Sequence, residues 1–293
     1  MKKLAALAAT MLGMILMTAC ADTDKTYVKK AVKLMDKQGM FAVGPEWEAA
    51  RAEALAAEPQ SPDEAKDIVR KALKVAGGKH SFILSAESVR ENATSECEMP
   101  SVSIEPDGIA IIKLPHFSGN SSEGNRYART VLDALPDSVP GVVLDLRDNS
   151  GGNMYPMIAA VHRLLPDDNI ISFRTRKRKT PLSLAYICKG AGVDKEEPIS
   201  CPVAILTNDM TGSSGEATLI TFRGLDRVRV FGAPTAGYAS ANTPFPMPDG
   251  SQLVLTTGSD VARTGEEFCD DPIAPDVQTD CPMEEALAWL RSF

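Results

Sequence analysis

Two stretches of this sequence end an apolar run in a turn that could present reactive groups. Pro202 to Glu216 reads PVAILTNDMTGSSGE, an apolar strand, a short Asn/Gly turn and the start of a helix near Ser213. A hydroxyl at such a junction stands at the carboxyl end of a strand, where open parallel α/β sheets bind their ligands. The free N–H groups and positive dipole end of the new helix can stabilise an anion there. Ser213 is therefore a candidate nucleophile. The same residues also read as a helix cap, because Ser213 or Ser214 can accept a first-turn N–H bond and Ser213 with Glu216 has capping-box spacing. Spacing alone leaves both readings open.

The second stretch, Val142 to Pro156, reads VVLDLRDNSGGNMYP. Gly151 and Gly152 can take backbone angles that other residues avoid, and such a turn can aim an N–H group at a developing oxyanion. A strand followed by Gly-Gly is also simply a turn. A general base would come from one of three histidines, His80, His116 and His162. His116 follows a strand end and His80 a helix stop, and on the residues alone they stand level. His162 falls in the helix after the Gly-Gly turn. No cysteine pair has the CxxC spacing of a zinc or redox centre, so neither a metal nor a cofactor is expected.

The elements that must position these groups follow from periodicity. Residues 22 to about 40 and 46 to 76 carry apolar residues at helical spacing, with a capped start at Ser61-Pro62-Asp63-Glu64 and a stop at Gly77-Gly78. A polar stretch runs from Glu87 to Pro100. Strands are then predicted over Gly108–Leu114, Val142–Leu146, Val203–Leu206, Val228–Phe231 and Leu253–Thr257, and helices over Arg126–Leu135, Tyr155–Leu165, Ser214–Gly224 and Pro282–Leu290. Near-continuous apolar strands, each followed by a helix, describe a parallel sheet covered on both faces. Residues 166 to 200 break this rhythm and read as a lid or a tolerated surface insertion.

The 293 residues carry a formal net charge of −8, with 44% hydrophobic and 24% charged residues, which is a globular composition with no basic field for nucleic acid. The basic run Arg174-Thr175-Arg176-Lys177-Arg178-Lys179 reads as a solvated loop or a polyanion site. The first twenty residues form a leader, with Lys2 and Lys3 ahead of an apolar stretch from Leu4 to Met17 that ends in Thr18-Ala19-Cys20. Small residues before a cysteine are similar to a bacterial lipobox, which makes Cys20 the candidate lipidation site; an ordinary signal cleaved near Ala19 or Ala21 is the other reading. Either exports the chain, and lipid at Cys20 would tether it to a bacterial membrane, facing the periplasm or cell exterior, without a spanning segment. In an oxidising compartment Cys188/Cys201 and Cys269/Cys281 are disulfide candidates, with Cys97 left over. Oligomeric state has no signal in the sequence.

The order DLRDNSGG, TGSSGE, FGAPTAGY and IAPDV, over roughly residues 75 to 280, resembles the C-terminal processing (tail-specific) serine peptidases. GGNMYPM and the TxSSxE turn look most like the tricorn-core and nisin-resistance-protein branch. The resemblance implies a crotonase/ClpP-like α/β core after a small N-terminal helical region, without a PDZ domain. The domains expected are a leader at 1–20, a helical region at 21–100 and a peptidase core at 101–293, with the possible lid at 166–200. The family's nucleophile falls on Ser213. The main branch's lysine base has no counterpart, since Tyr238 stands after Gly232-Ala233-Pro234-Thr235-Ala236-Gly237 and a phenol of ordinary pKa near 10 is a poor base. The histidine of the tricorn and nisin-resistance branch falls on His80, in Gly78-Lys79-His80-Ser81-Phe82. Backbone N–H groups of Gly152 and Ser214 would form the oxyanion hole. Glu267 or Asp270 would orient the histidine, although Cys269 stands closest to the family's acid position. The implied activity is hydrolysis of peptide bonds in an extracytoplasmic protein or peptide, the partner being a peptide or unfolded protein. The alternative is a noncatalytic peptide- or ligand-binding lipoprotein on the same fold, as in the retinoid-binding relatives.

Overall fold

The computed structural model describes residues 23–94, 97–166 and 169–293; Cys20 and the expected leader lie outside them. The elements in chain order begin with α1 (residues 23–38), α2 (Gly44–Ala56), α3 (Pro62–Gly77), β1 (Phe82–Leu84) and α4 (Ala86–Thr94). Next come β2 (Ser101–Ile104), β3 (Ala110–Lys113), α5 (Ser121–Leu132), β4 (Val142–Asp145) and α6 (Met154–Ala160). The segment that breaks the sequence rhythm holds β5 (Ile171–Thr175), β6 (Lys179–Leu182) and α7 (Leu184–Ala191). Then follow β7 (Val203–Thr207), α8 (Ser214–Thr221), β8 (Val228–Gly232), β9 (Ser240–Pro246), β10 (Gln252–Ala262), β11 (Glu267–Phe268), β12 (Val277–Gln278) and α9 (Pro282–Leu290).

The chain divides into two compact units. One takes residues up to Val89 together with Asn242–Thr257, and the other takes Arg90–Ala241 with Gly258–Phe293. In the first unit α1, α2 and α3 pack around Val28, Met35, Trp47, Val69 and Leu73, and the hairpin half of β10 adds Leu253 and Leu255. Ser61 caps α3 by accepting the Glu64 N–H at 3.2 Å, and Ala65, Val69, Ala72, Leu73 and Ala76 form its buried stripe. β1 runs antiparallel to β10 with Phe82 opposite Val254. The return of 242–257 to this unit has no sequence signal, because strand pairing is chosen by contacts far along the chain.

In the second unit one sheet has the order β12-β8-β7-β4-β3-β2, parallel except for β2. β4 and β7 are buried along their whole length, the apolar signature of a sheet covered on both faces. Successive side chains sort between the two faces. Val142, Leu144, Val203 and Ile205 join the core under α5 and α6, while Val143, Ala204 and Leu206 join the core under α9. This is the mixed α/β fold expected from the alternation of strands and helices.

β5, β6 and α7 are built into this unit. β5 pairs with β6 and with the Gly258–Ala262 half of β10, and α7 buries Leu184, Ile187, Cys188 and Ala191. α5 starts five residues earlier than its apolar periodicity suggests, because Asn120 and Glu123 form a capping box. The proposed disulfides do not form: Cys97, Cys188, Cys201, Cys269 and Cys281 are free thiols. Burial pushes the Cys201 thiol up to about 11 and the Cys269 thiol up to about 12, which favours the uncharged form in both.

Candidate active site

The loops after β4 and β7 are laced together, and the lacing determines where Ser213 stands. Asp148 N–H donates to Asn208 Oδ1 at 3.0 Å and Asn208 Nδ2 returns to Asp148 Oδ1 at 2.8 Å. Thr211 Oγ1 donates to the Leu146 carbonyl at 2.8 Å, and Gly212 N–H to the Asn149 carbonyl at 2.9 Å. Asn149, fully buried, donates from Nδ2 to the Leu114 carbonyl at 2.9 Å and accepts the Gly151 N–H at 3.0 Å. A buried amide thus shapes the Gly-Gly turn from inside, a role that no single-residue pattern announces.

Ser213 is half-buried and has φ 52° and ψ −117°, the first central position of a type II′ turn, which glycine normally fills. A non-glycine residue there costs on the order of 1–3 kcal/mol and persists only where its surroundings enforce it. The enforcement comes from Glu216. Its carboxylate accepts Ser213 N–H at 2.9 Å, Gly237 N–H at 2.9 Å, Tyr238 N–H at 2.7 Å and the Thr235 hydroxyl. Glu216 is fully buried. Burial raises its pKa, and the hydrogen bonds from Thr235, Tyr238, Gly237 and Ser213 oppose that rise by favouring the charged form. Four donors aimed at two oxygens describe a carboxylate. The capping reading of Ser213 and Glu216 holds in the bond from Ser213 N–H to Glu216, and the same carboxylate also ties the Ser213 turn to the Gly232–Tyr238 loop.

The Gly-Gly turn lies against Ser213. A Cβ on Gly151 would meet Ser213 Cβ at 2.6 Å, and one on Gly152 would meet the Phe117 carbonyl oxygen at 1.9 Å. Both glycines have positive φ, 106° and 105°. Ser214 Oγ donates to the Gly152 carbonyl at 2.6 Å, which joins the turn to the first residue of α8. Among the described residues, the N–H groups of Gly152 and Ser214 have no hydrogen-bond partner. A negative oxygen could use both.

The three histidines differ sharply. His162 accepts the Glu196 N–H at Nε2 (2.8 Å), and its Nδ1 lies 2.7 Å from the Ala159 carbonyl. That pairing assigns the proton to Nδ1 and leaves neither nitrogen for chemistry. His116 is exposed, with Nδ1 3.3 Å from Ser150 Oγ, and its ring flanks Gly152. His80 belongs to the first unit, where Asn242 Nδ2 donates to its carbonyl at 2.8 Å and the following Ser81 hydroxyl bonds the Gly77 carbonyl at 2.8 Å. Burial, and secondarily the charge of Lys79, lowers the His80 pKa to about 4, so its imidazole is neutral near pH 7.

Of the acids considered for orienting a histidine, Glu267 is engaged by Arg174 at 2.8 Å and by the Ser259 hydroxyl. Asp270 lies beside Cys269, with Sγ to Oδ1 3.9 Å. Glu216, Asn149, Thr235 and a buried acid on β10, Asp260, were outside the sequence expectations. Thr235 stood in the quoted GAPTAG motif, and Glu216 was legible only as a cap. Among the described residues no cluster of His, Cys, Asp and Glu could hold a metal ion.

A serine at a strand–turn–helix junction thus faces a Gly-Gly turn in a parallel α/β unit, and comparison with known proteins shows which family carries this arrangement. The sequence profile of peptidase family S41 matches residues 108–279, and the chain belongs to that family. The nisin-resistance protein of Lactococcus lactis subsp. lactis is 32% identical over 280 residues, covering 92% of this chain and 88% of the relative. Carboxyl-terminal-processing peptidase 2 of Arabidopsis thaliana chloroplasts is 31% identical over 183 residues, 59% of this chain and 32% of that protein. Among solved structures, a lipoprotein from Streptococcus agalactiae superposes with a TM-score of 0.85 at 31% identity, over 92% of this chain and 96% of that one.

Proposed function

We propose that this protein is an exported serine peptidase that cleaves peptide bonds of an extracytoplasmic protein or peptide with Ser213 as nucleophile and His80 as general base. The observation that carries the reading is the backbone of Ser213, held in a glycine-type conformation at the start of α8 beside two N–H groups that have no partner among the described residues. Capping alone does not require such a conformation, since cap residues ordinarily take extended backbone angles. Neutral His80 would accept the Ser213 proton as Oγ attacks the carbonyl carbon. The N–H groups of Gly152 and Ser214 would hold the oxyanion, and the proton would pass to the leaving amine as the C–N bond breaks. Water would then release the acyl group by the same route in reverse. Glu216 maintains the turn geometry and touches no reacting atom. His80 is also the residue on which the tricorn and nisin-resistance histidine falls. We treat the site as a dyad, because Glu267 is already engaged by Arg174 and Ser259; Asp270 is the remaining candidate for an orienting acid.

A lipid anchor at Cys20 fits the leader, and the similarity to a streptococcal lipoprotein supports it. Among the described residues no helix is long and apolar enough to cross a membrane.

Reaction of the processed chain with a fluorophosphonate probe tests the peptidase reading. Labelling should occur at Ser213, disappear in Ser213→Ala and fall sharply in His80→Ala. Wild-type protein that folds but takes no label would support the alternative, a noncatalytic peptide-binding lipoprotein. Incorporation of labelled fatty acid that is lost in Cys20→Ser tests the anchor.

A further inference from the structure

The β1–β10 ladder stops at Phe82 opposite Val254, and continuing it in register would set His80 opposite Thr256. Side chains take over there instead. Thr256 N–H donates to Ser81 Oγ at 2.8 Å, and the Thr256 carbonyl accepts the Met40 N–H at 2.9 Å. The His80 carbonyl accepts from Asn242 Nδ2 at 2.8 Å, and Asn242 Oδ1 accepts the Thr256 hydroxyl at 2.8 Å. The Ser81 hydroxyl donates to the Gly77 carbonyl at 2.8 Å, with Thr256 Oγ1 3.1 Å away. That approach requires glycine at 77, since a Cβ there would meet Ser81 Oγ at 2.0 Å. Every one of these residues belongs to the first compact unit.

Chemistry fixes the direction of these bonds. A carbonyl oxygen only accepts, so the His80 carbonyl must face the NH2 of Asn242, which leaves Oδ1 for the Thr256 hydroxyl. Thr256 is fully buried and Asn242 half-buried, so the bonds form where water competes little and replaces a lost partner poorly. An ionised aspartate at 242 would offer the carbonyl no donor, and an alanine neither donor nor acceptor. The backbone around the imidazole is thus held twice, at its own carbonyl from β9 and through the next hydroxyl from α3 and β10. We propose that Asn242 is a positioning residue whose amide, braced by Thr256, fixes the backbone of His80 and so the place from which the imidazole works as a base. It acts through His80. The catalytic consequence rests on the peptidase reading above; the hold on His80 does not.

Two measurements on the processed chain separate these levels. In Ser213→Ala protein, which cannot turn over, the His80 ring proton resonance, assigned by its loss in His80→Gln, reports on the imidazole alone. Burial and the Lys79 charge hold that ring's pKa at about 4. Asn242→Ala should shift the resonance and raise its titration midpoint by at least about one pH unit, because a loosened segment admits water to the imidazole. In active protein, the limiting rate of Ser213 labelling by the fluorophosphonate probe should fall at least about tenfold in Asn242→Ala, as for a small misplacement of a reacting group, while the probe concentration giving half that rate changes less than about twofold. Thr256→Val, which keeps the shape and removes the hydroxyl, should act in the same direction, and Thr256→Ser should recover most of the lost rate. Adding Thr256→Val to Asn242→Ala should slow labelling little further, since both break one chain of bonds. A His80 resonance that stays in place in both Asn242→Ala and Thr256→Val overturns the proposal. Labelling at the wild-type rate in folded Thr256→Val overturns it as well, even if the alanine variant does not fold. If the resonance responds as described while wild-type protein takes no probe, the hold on His80 stands and the peptidase reading fails.

Discussion

The backbone N–H of Ser213 donates to Glu216 Oε2 at 2.9 Å, and the same oxygen accepts the N–H of Tyr238 at 2.7 Å. One buried carboxylate therefore holds both the Ser213 turn and the backbone of Tyr238.

If Glu216 is the part that enforces the turn, removing its carboxylate should affect both stability and chemistry. Glu216→Ala leaves several buried donors without an acceptor, each costing roughly 1–3 kcal/mol. A loss of at least about 3 kcal/mol in denaturant unfolding is expected, with probe labelling of Ser213 lost. Glu216→Gln keeps the shape but turns an NH2 toward an N–H donor, so it should give an intermediate loss. A Glu216→Gln protein as stable and as reactive as wild type would contradict the hub.

The strain at Ser213 makes an unusual forecast. Ser213→Gly should abolish hydrolysis yet raise unfolding stability by about 1 kcal/mol, because glycine takes this conformation without penalty. Ser213→Ala should abolish hydrolysis with no such gain. Chemical denaturation of the three proteins side by side decides the point.

Acid dependence follows from His80. Its pKa is about 4 in the fold against roughly 6.5 unfolded, so the unfolded chain binds the proton more readily. Stability from this group is present above about pH 6.5 and is lost as pH falls toward 4, a total of about 3 kcal/mol. The acid limb of kcat/KM should therefore lie near pH 4 in the free enzyme, and His80→Gln should flatten the stability change between pH 6.5 and 4. An acid limb near 6.5 would mean that the base is a less buried imidazole, with His116 the next to test.

The remaining histidines serve as controls. His162→Ala should cost about 1–3 kcal/mol of stability, since it leaves the Glu196 N–H without its acceptor, while the folded fraction still labels at Ser213. His116→Ala should leave a labelled, folded protein with a modest change in rate, because its ring flanks Gly152. Complete loss of labelling in His116→Ala with full labelling in His80→Ala would reverse the assignment of the base.

How much of this was legible beforehand depends on how local the cause is. The apolar runs of β4 and β7, the turns that end them and the helix that follows Ser213 could be read from neighbouring residues, because strand and helix periodicity act over a few positions. β5, β6 and α7 had no clear apolar signal in the sequence, because β6 is exposed at every second residue and α7 buries a single face. The cysteine pairs near in sequence are free thiols in the fold, since sequence separation does not place two sulfurs within bonding distance.

What the sequence determined by itself was the parallel α/β frame, the presence of a serine at a strand–turn–helix junction and the glycines facing it. Only the tertiary structure decided that Glu216 collects donors from residues 213 to 238, that Asn149 shapes the Gly-Gly turn and that His162 has both nitrogens occupied. Each of these depends on which donors and acceptors meet across the fold and on how much water is excluded around them. Neither quantity is a property of a residue and its chain neighbours.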